Sequence, residues 1–388
     1  MLKVMTAYTL EIDDEEIAVE ELLSQLDLDE LKKNSIGIMS CHYECLNSGV
    51  YEAVYEALSF NIVGATSSSQ GVPGQNSPLM IALTVITSDD VEFATMVTPN
   101  IVENVSEVIE QTYLATHQNS GRKEAPGLIL AFAPFLLSNC GDDYVNALSR
   151  VSGDVPCFGT LSVDDTLDFA NCYVFADGKA YKEELVAVLL YGNIEPKFFI
   201  ANISPNNTIN KTALITKSHK HLLMEINDRP IIEYFEDLGL AKAVGSQYAM
   251  TSLPLLLDYN DGTPLVAKQF IKMNDDGSGI CASEMPVGST IYMAVADKQD
   301  VIDSTIATVE DIRANMKDAS LMLAYTCVGR YMVLGADSKM AVDIFDERIG
   351  DELPFLFACS GGEMCPTQIE GKVATNRFHN NSLVVCLI

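Results

Sequence analysis

The sequence predicts an α/β protein of two domains, with mixed sheets built from repeated βαβ units. Three observations predict it. The chain has 388 residues, more than one ordinary core holds, since domains run to roughly 100–200 residues. Hydrophobic residues make up 48%, which is ample for buried cores. And one pattern occurs three times: apolar run, amphipathic helix, second apolar run, small-residue loop.

The opening runs are residues 36–40, 128–132 and 321–325. They are continuously apolar, as strands covered on both faces are. The helices follow at 51–58, 144–151 and 340–349, and the second strands at 61–63, 156–158 and 353–357. Directly after those strands come the loops 64–70, 159–165 and 358–363. Gly and Ser after a strand are ordinary turn chemistry. Three such loops in the same place point further, because ligands gather beyond the carboxyl ends of strands in open α/β sheets. Gly64, Thr66, Ser67 and Ser68 in the first loop, and Ser360, Gly361, Gly362 and Glu363 in the third, are therefore candidate ligand contacts.

Between the copies, helical spacing predicts helices over 102–117 and 301–316 and a helical region over 218–238. Hairpin turns are predicted at Asp177-Gly178, between runs 169–175 and 184–191, and at Asn260-Asp261-Gly262 and Asp275-Asp276-Gly277. Residues 377–388 read as a closing strand region. Pro205-Asn206-Asn207 punctuates the chain after a run of strands, so the domains are placed at 1–212 and 213–388.

Lys and Arg number 24 against 54 Asp and Glu, a formal charge of −30. Such a surface repels phosphate backbones and anionic headgroups, which argues against nucleic-acid and membrane partners; solubility alone also accounts for it. No apolar run approaches the roughly 18–20 residues of a membrane span, and no secretory h-region follows Met1. The expected location is cytoplasmic, with the ten cysteines as free thiols. Cys41-His42-Tyr43-Glu44-Cys45 lacks a second ligand pair and reads as buried or strand-end cysteines, so no metal is expected.

Near the carboxyl terminus the motifs resemble a known family. Cys327-Val328-Gly329-Arg330 resembles the Cys-x-Gly-Arg signature of the FIST C domain. Residues 359–364 resemble its Ser-x-Gly-Glu-Ile segment, and Phe378-His379-Asn380-Asn381-Ser382 its closing Phe-His-Asn-x-Thr. Residues 63–68, Cys157-Phe158-Gly159 and 174–178 are similar to the FIST N domain. The motifs are short, but they come in the family's order. The resemblance implies a bacterial sensory protein of signal transduction that binds small ligands, amino acids among them. Some members resemble haem-binding nitric-oxide sensors acting on histidine kinases. The chain departs from the pattern at Gln70, where Glu is usual, and at Ala65, where Cys is frequent. With Ile388 last and no output domain, the resemblance implies a stand-alone member that acts in trans on a signalling partner, or one that only binds and stores.

Read for chemistry, Arg330 is expected to emerge at a strand's carboxyl end. A guanidinium there grips a carboxylate through two parallel hydrogen bonds, unless one of the many acids already holds it. Glu363 either accepts from a ligand amine or caps its own turn, while Gly361 and Gly362 admit a ligand close to the backbone. Arg330 and Glu363 together suit the two ends of a zwitterion. His379, beside Asn380, is a haem ligand or base on one reading and a locally hydrogen-bonded imidazole on the other. Cys327 or Cys359, with His379 as base, defines a cysteine-hydrolase alternative. No nucleophile elbow or papain-like or caspase-like signature surrounds either thiol, and no Gly-x-x-x-x-Gly-Lys-Ser/Thr loop is present. The sequence thus predicts a non-enzymatic sensor of amino acids or related small carboxylates, bound in an interdomain cleft without a cofactor. Its alternatives are a haem-binding nitric-oxide sensor and a cysteine-dependent hydrolase.

Overall fold

Strand, helix, strand recurs three times, as the sequence pattern requires, and each copy sits in a larger unit of the same layout. The computed structural model describes residues 2–166, 169–244, 250–367 and 374–388. Unit one runs β1 (Lys3–Thr9), α1 (Glu15–Ser24), β2 (Asn34–Cys41), α2 (Val50–Ala57), β3 (Asn61–Thr66), the hairpin β4 (Gln70–Val72) and β5 (Gln75–Ser77), then β6 (Ile81–Ser88). Unit two repeats this with β7 (Glu92–Val97), α3 (Val105–Asn119), β8 (Leu128–Ala133), α4 (Gly141–Ser152), β9 (Cys157–Leu161), the hairpin β10 (Val174–Ala176) and β11 (Lys179–Tyr181), and β12 (Val186–Tyr191).

Unit three opens with β13 (Lys197–Ala201) and is then interrupted by an inserted sheet. The insert comprises β14 (Thr208–His219), β15 (Leu222–Ile226), β16 (Arg229–Pro230), α5 (Ile231–Asp237), β17 (Leu255–Asp258), β18 (Val266–Lys268), β19 (Phe270–Met273), β20 (Gly279–Cys281) and β21 (Thr290–Ala294). The unit resumes with α6 (Lys298–Asn315), β22 (Met322–Cys327), α7 (Val328–Leu334), α8 (Met340–Arg348) and β23 (Phe355–Ser360). It closes with the hairpin β24 (Glu363–Thr367) and β25 (Thr375–His379), and β26 (Leu383–Leu387).

In each unit the two strands of the βαβ pair are parallel, and antiparallel neighbours complete the sheet. The hairpin does not stay at home. β4 and β5 extend the sheet of unit three, β10 and β11 that of unit one, and β24 and β25 that of unit two. The exchange is cyclic and locks three six-stranded sheets together. Alternating side chains then explain the continuous apolar strands. Ile36, Ile38, Leu128, Leu130, Leu323, Tyr325, Val384 and Cys386 point to one central core shared by all three sheets. Their neighbours Met39, Ile129, Ala131, Met322, Ala324 and Val385 pack under the outer helices.

The α/β class, the mixed sheets and the repeated βαβ units are as the sequence predicts. The helical region expected over 218–238 is corrected: β14 runs to His219, β15 follows, and only Ile231–Asp237 is helical. Ala213 and Ile215, then Leu223 and Ile226, are buried around a turn at Lys220. Register shifts in the first arm and a spacing of three in the second break the hairpin's alternation, so its burial spacing resembles a helix. The Asp177-Gly178 turn forms with both residues at positive φ, but its arms are short, and Val186–Tyr191 pairs in another sheet.

Candidate ligand site

The carboxyl ends of the three parallel pairs converge, and backbone hydrogen bonds between units weave their loops together. Val163 N–H donates to Thr66 O (3.0 Å), Gly361 N–H to Leu161 O (3.0 Å), and Cys359 N–H to Ser69 O (2.8 Å). The first loop thereby reaches the third. Ser67 Oγ donates to Cys359 O at 2.9 Å, and the Ser68 hydroxyl lies beside the Cys359 thiol. Gln70 turns its amide away, to Met80 O at 2.8 Å. Thr160 Oγ1 from unit two donates to Ser360 Oγ at 2.7 Å.

At this meeting point the predicted residues of unit three form one buried cluster. β24 sets Glu363 directly opposite His379 on β25, so both side chains face the same way. Both are fully buried. Burial drives the Glu363 carboxyl well above the usual carboxylate range. The Ser360 hydroxyl, the Arg330 guanidinium and the Cys327 thiol oppose that rise, and none of them makes a well-formed hydrogen bond to either carboxylate oxygen. His379 Nε2 lies 3.0 Å from Cys365 O, its Nδ1 has no partner, and burial pushes the imidazole down to about 3, so it is neutral.

Arg330 does not emerge at the strand end as expected. It sits in α7, the helix that starts directly after β22, and its side chain turns inward, 1% exposed. Nη2 donates to Val301 O (3.0 Å), Ser304 Oγ (3.1 Å) and Thr305 Oγ1 (2.9 Å) on α6, and Nη1 to Ala201 O (3.5 Å). Only Nε is unpartnered. Burial lowers this guanidinium to about 10, and the nearby Glu363 opposes the shift.

Several other expectations are corrected by packing. The cleft expected between two halves is not open at these residues: Arg330, Glu363, Ser360, His379, Asn380, Thr66, Ser67, Ser68 and Cys327 are all buried, because exchanged hairpins and the inserted sheet close over them. Gly361 and Gly362 serve a tight turn. A Cβ on Gly362, at φ +147°, would meet the Phe378 ring at 2.3 Å, and one on Gly361 would meet Ser162 O at 2.8 Å. Gly64 lets β3 approach β2, since a Cβ there would lie 1.8 Å from Met39 O. Thr66 holds the exchanged hairpin, its Oγ1 accepting from Tyr173 N–H at 2.9 Å. Asn380 faces the insert: its N–H donates to Ala267 O (3.0 Å), and its Oδ1 accepts from Gln269 N–H (3.3 Å) and from Ser283 Oγ.

Cys327 and Cys359 do not have the character of activated nucleophiles. Burial pushes Cys359 up to about 12 and Cys327 well above the usual thiol range. With His379 neutral, no thiolate–imidazolium pair is available. Among the described residues no group of His, Cys, Asp and Glu is arranged to hold a metal ion. No helix among them is long and apolar enough to cross a membrane.

Sequence reasoning missed the residues that seal the cluster. Lys268 on β18 is fully buried and donates to Asp142 Oδ1 (3.1 Å) on α4 and to Phe378 O (2.8 Å) on β25. Asp142 Oδ2 accepts from Glu284 N–H at 2.8 Å, and Asn381 Nδ2 donates to Gln269 Oε1. A lysine within the apolar run 265–270 was the one available signal.

The sequence matches no curated protein. Two solved structures align along the whole chain. A cyanuric acid hydrolase from A. caulinodans is 9% identical, with 100% of this chain and 99% of that one covered and a TM-score of 0.39. A chorismatase is 10% identical, with 100% and 98% covered and a TM-score of 0.34. Likeness at that level carries no argument about activity. The FIST N domain matches residues 35–229 and the FIST C domain residues 232–366. The chain therefore belongs to the FIST family, whose domains are small-ligand sensory domains of signal transduction.

Proposed function

We propose that this protein senses an amino acid or related small carboxylate in the cluster around Glu363 and reports the bound state in trans to a signalling partner, such as a histidine kinase. One observation carries the reading. Buried polar atoms in folded proteins are nearly always hydrogen-bonded, yet six without a well-formed partner belong to residues of this cluster and its border. They are Ser68 Oγ, Arg330 Nε, both oxygens of Glu363, His379 Nδ1 and Asn381 Oδ1, six of fourteen such atoms among the described residues. A ligand with an ammonium and a carboxylate supplies both kinds of partner, donors to Glu363 and an acceptor to Arg330 Nε.

The inserted sheet supports the reporting step. It reaches both segment 379–382 and α4, through Lys268, Gln269, Ser283 and Lys220. A ligand that contacts one arrangement better shifts the population toward it, and a partner reads that shift.

A thermal-shift screen with the amino acids and small carboxylates tests the proposal. A ligand at 100 times its Kd adds about 2.7 kcal/mol, and that gain should vanish in Glu363→Gln and in Ser360→Ala. No shift from any compound, or a shift that persists undiminished in both variants, rules the reading out.

A further inference from the structure

A second cavity lies at the opposite end of the strands, between units one and two. It opens where β2 and β3 begin, a strand's length of about 20 Å from the Glu363 cluster. Its volume is about 440 Å³, and Leu31, Lys32, Lys33, Phe60, Phe93 and Tyr191 line it. Cavities of roughly 300–1,000 Å³ accommodate small molecules. A separate depression of about 320 Å³, lined by Tyr55 and Leu58, shares Phe60 with it.

The chemistry of the walls selects the ligand. The carboxylate and several neutral polar groups of the walls are already engaged. Glu92 faces the cavity, but Arg122 clamps it through Nε (2.9 Å) and Nη2 (2.6 Å), which also holds its carboxyl below the usual range. Tyr191 OH is 2.9 Å from His117 Nδ1. Asn34 Nδ2 donates to Val91 O, and Ser120 Oγ to His117 O. What remains is cationic. Lys32 is fixed by its own N–H, which donates to Thr87 Oγ1 at 2.7 Å, and among the described residues its ammonium makes no ion pair. Lys33 Nζ comes only to 4.0 Å of the already neutralised Glu92 and is 70% exposed. The sequence holds two pairs of adjacent basic residues, Lys32-Lys33 and Arg122-Lys123. In a chain of charge −30, the first pair lines this cavity, and Arg122 of the second clamps the Glu92 that faces it.

Free ammoniums above aromatic walls fit an aromatic anion. A neutral ligand would leave the ammoniums unmatched, and a cation would be repelled. We propose that this cavity is a second ligand site, independent of the Glu363 cluster, and that it takes a small aromatic acid. The anion lies against Lys32 and Lys33, and the ring against Phe60 and Phe93.

Calorimetric titration of the intact protein with naphthalene-2-carboxylate and with its uncharged amide tests this. One equivalent of the acid binds, the amide does not, and added salt weakens the binding. The double variant Lys32→Ala/Lys33→Ala binds the acid about tenfold more weakly or worse, the loss of a charge-assisted hydrogen bond. Lys298→Ala/Lys339→Ala, on unit three, leaves the affinity unchanged. Both pairs of lysines are exposed, so unchanged thermal transitions confirm that each variant folds. Absence of acid binding, equal binding of the amide, or full affinity in Lys32→Ala/Lys33→Ala overturns the proposal.

Discussion

Two buried pairs of opposite charge lie on either side of β25, and they are built differently. Lys268 and Asp142 are in direct contact, and both are otherwise satisfied, the ammonium by Phe378 O and the carboxylate by Glu284 N–H. Burial alone would depress the lysine, but Asp142 and Tyr259 outweigh it and hold the ammonium charged. Arg330 and Glu363 feel each other's charge yet share no hydrogen bond. Burial wins at both, pulling the arginine down and the glutamate up. A buried pair that is fully bonded secures a contact between two parts of a chain. A buried pair left unbonded costs stability, and such a cost is found where a site serves binding. The first pair joins the inserted sheet to unit two, and the second faces the proposed ligand.

The largest effect should come from breaking the satisfied pair. Lys268→Met leaves Asp142 buried without its counter-ion, and urea unfolding should show a loss of about 3–5 kcal/mol. Lys268→Met/Asp142→Leu should recover most of that loss. If the single variant is as stable as the parent, the Lys268–Asp142 pair does not secure the inserted sheet.

Next in size is the imidazole between them. His379 is held neutral by burial, down to about 3 against an ordinary 6.5. Between those values the unfolded chain binds a proton that the folded chain refuses. The stability this residue contributes is therefore full above about pH 6.5 and is lost as pH falls toward 3. His379→Gln should flatten the acid limb, sparing about 2–3 kcal/mol of the loss between pH 7 and pH 4.5. Parallel acid limbs in parent and variant would remove His379 from the account.

How much of this was legible beforehand follows from which interactions are local. The βαβ repeats were readable because strands buried on both faces carry continuous apolar runs, and Val63-Gly64 and Phe158-Gly159 end such runs alike. The cyclic hairpin exchange was not. β4 pairs with β23 across nearly 290 positions, and nothing in residues 70–77 names that partner. The cluster was half legible. Glu363 and Ser360 from one short motif, Cys327 from another and His379 from a third do come together. Arg330 was read as ending a strand, but its hydrogen-bond partners lie on α6, and a donor's partners across space leave no mark beside it in the chain. Lys268 and Asp142 were missed for the same reason, being 126 positions apart.

The smallest effect is the one that most sharply separates the two pairs. Glu363 is raised by burial, so in the range above its ordinary value of 4.5 the folded chain keeps a proton that the unfolded chain releases. Stability from this group is full below about pH 4.5 and falls as pH rises toward the folded value. Glu363→Gln removes the titration and keeps the shape, so between pH 5 and pH 6 the variant should avoid the loss of stability that the parent suffers. Removing one partner of a structural pair destabilises at every pH. Removing Glu363 should instead leave the protein as stable or more stable, while abolishing the ligand-induced shift. Urea titrations of parent and variant at the two pH values, without ligand and with the compound from the thermal screen, measure both halves. A variant that is less stable at both pH values would make Glu363 a structural residue like Asp142.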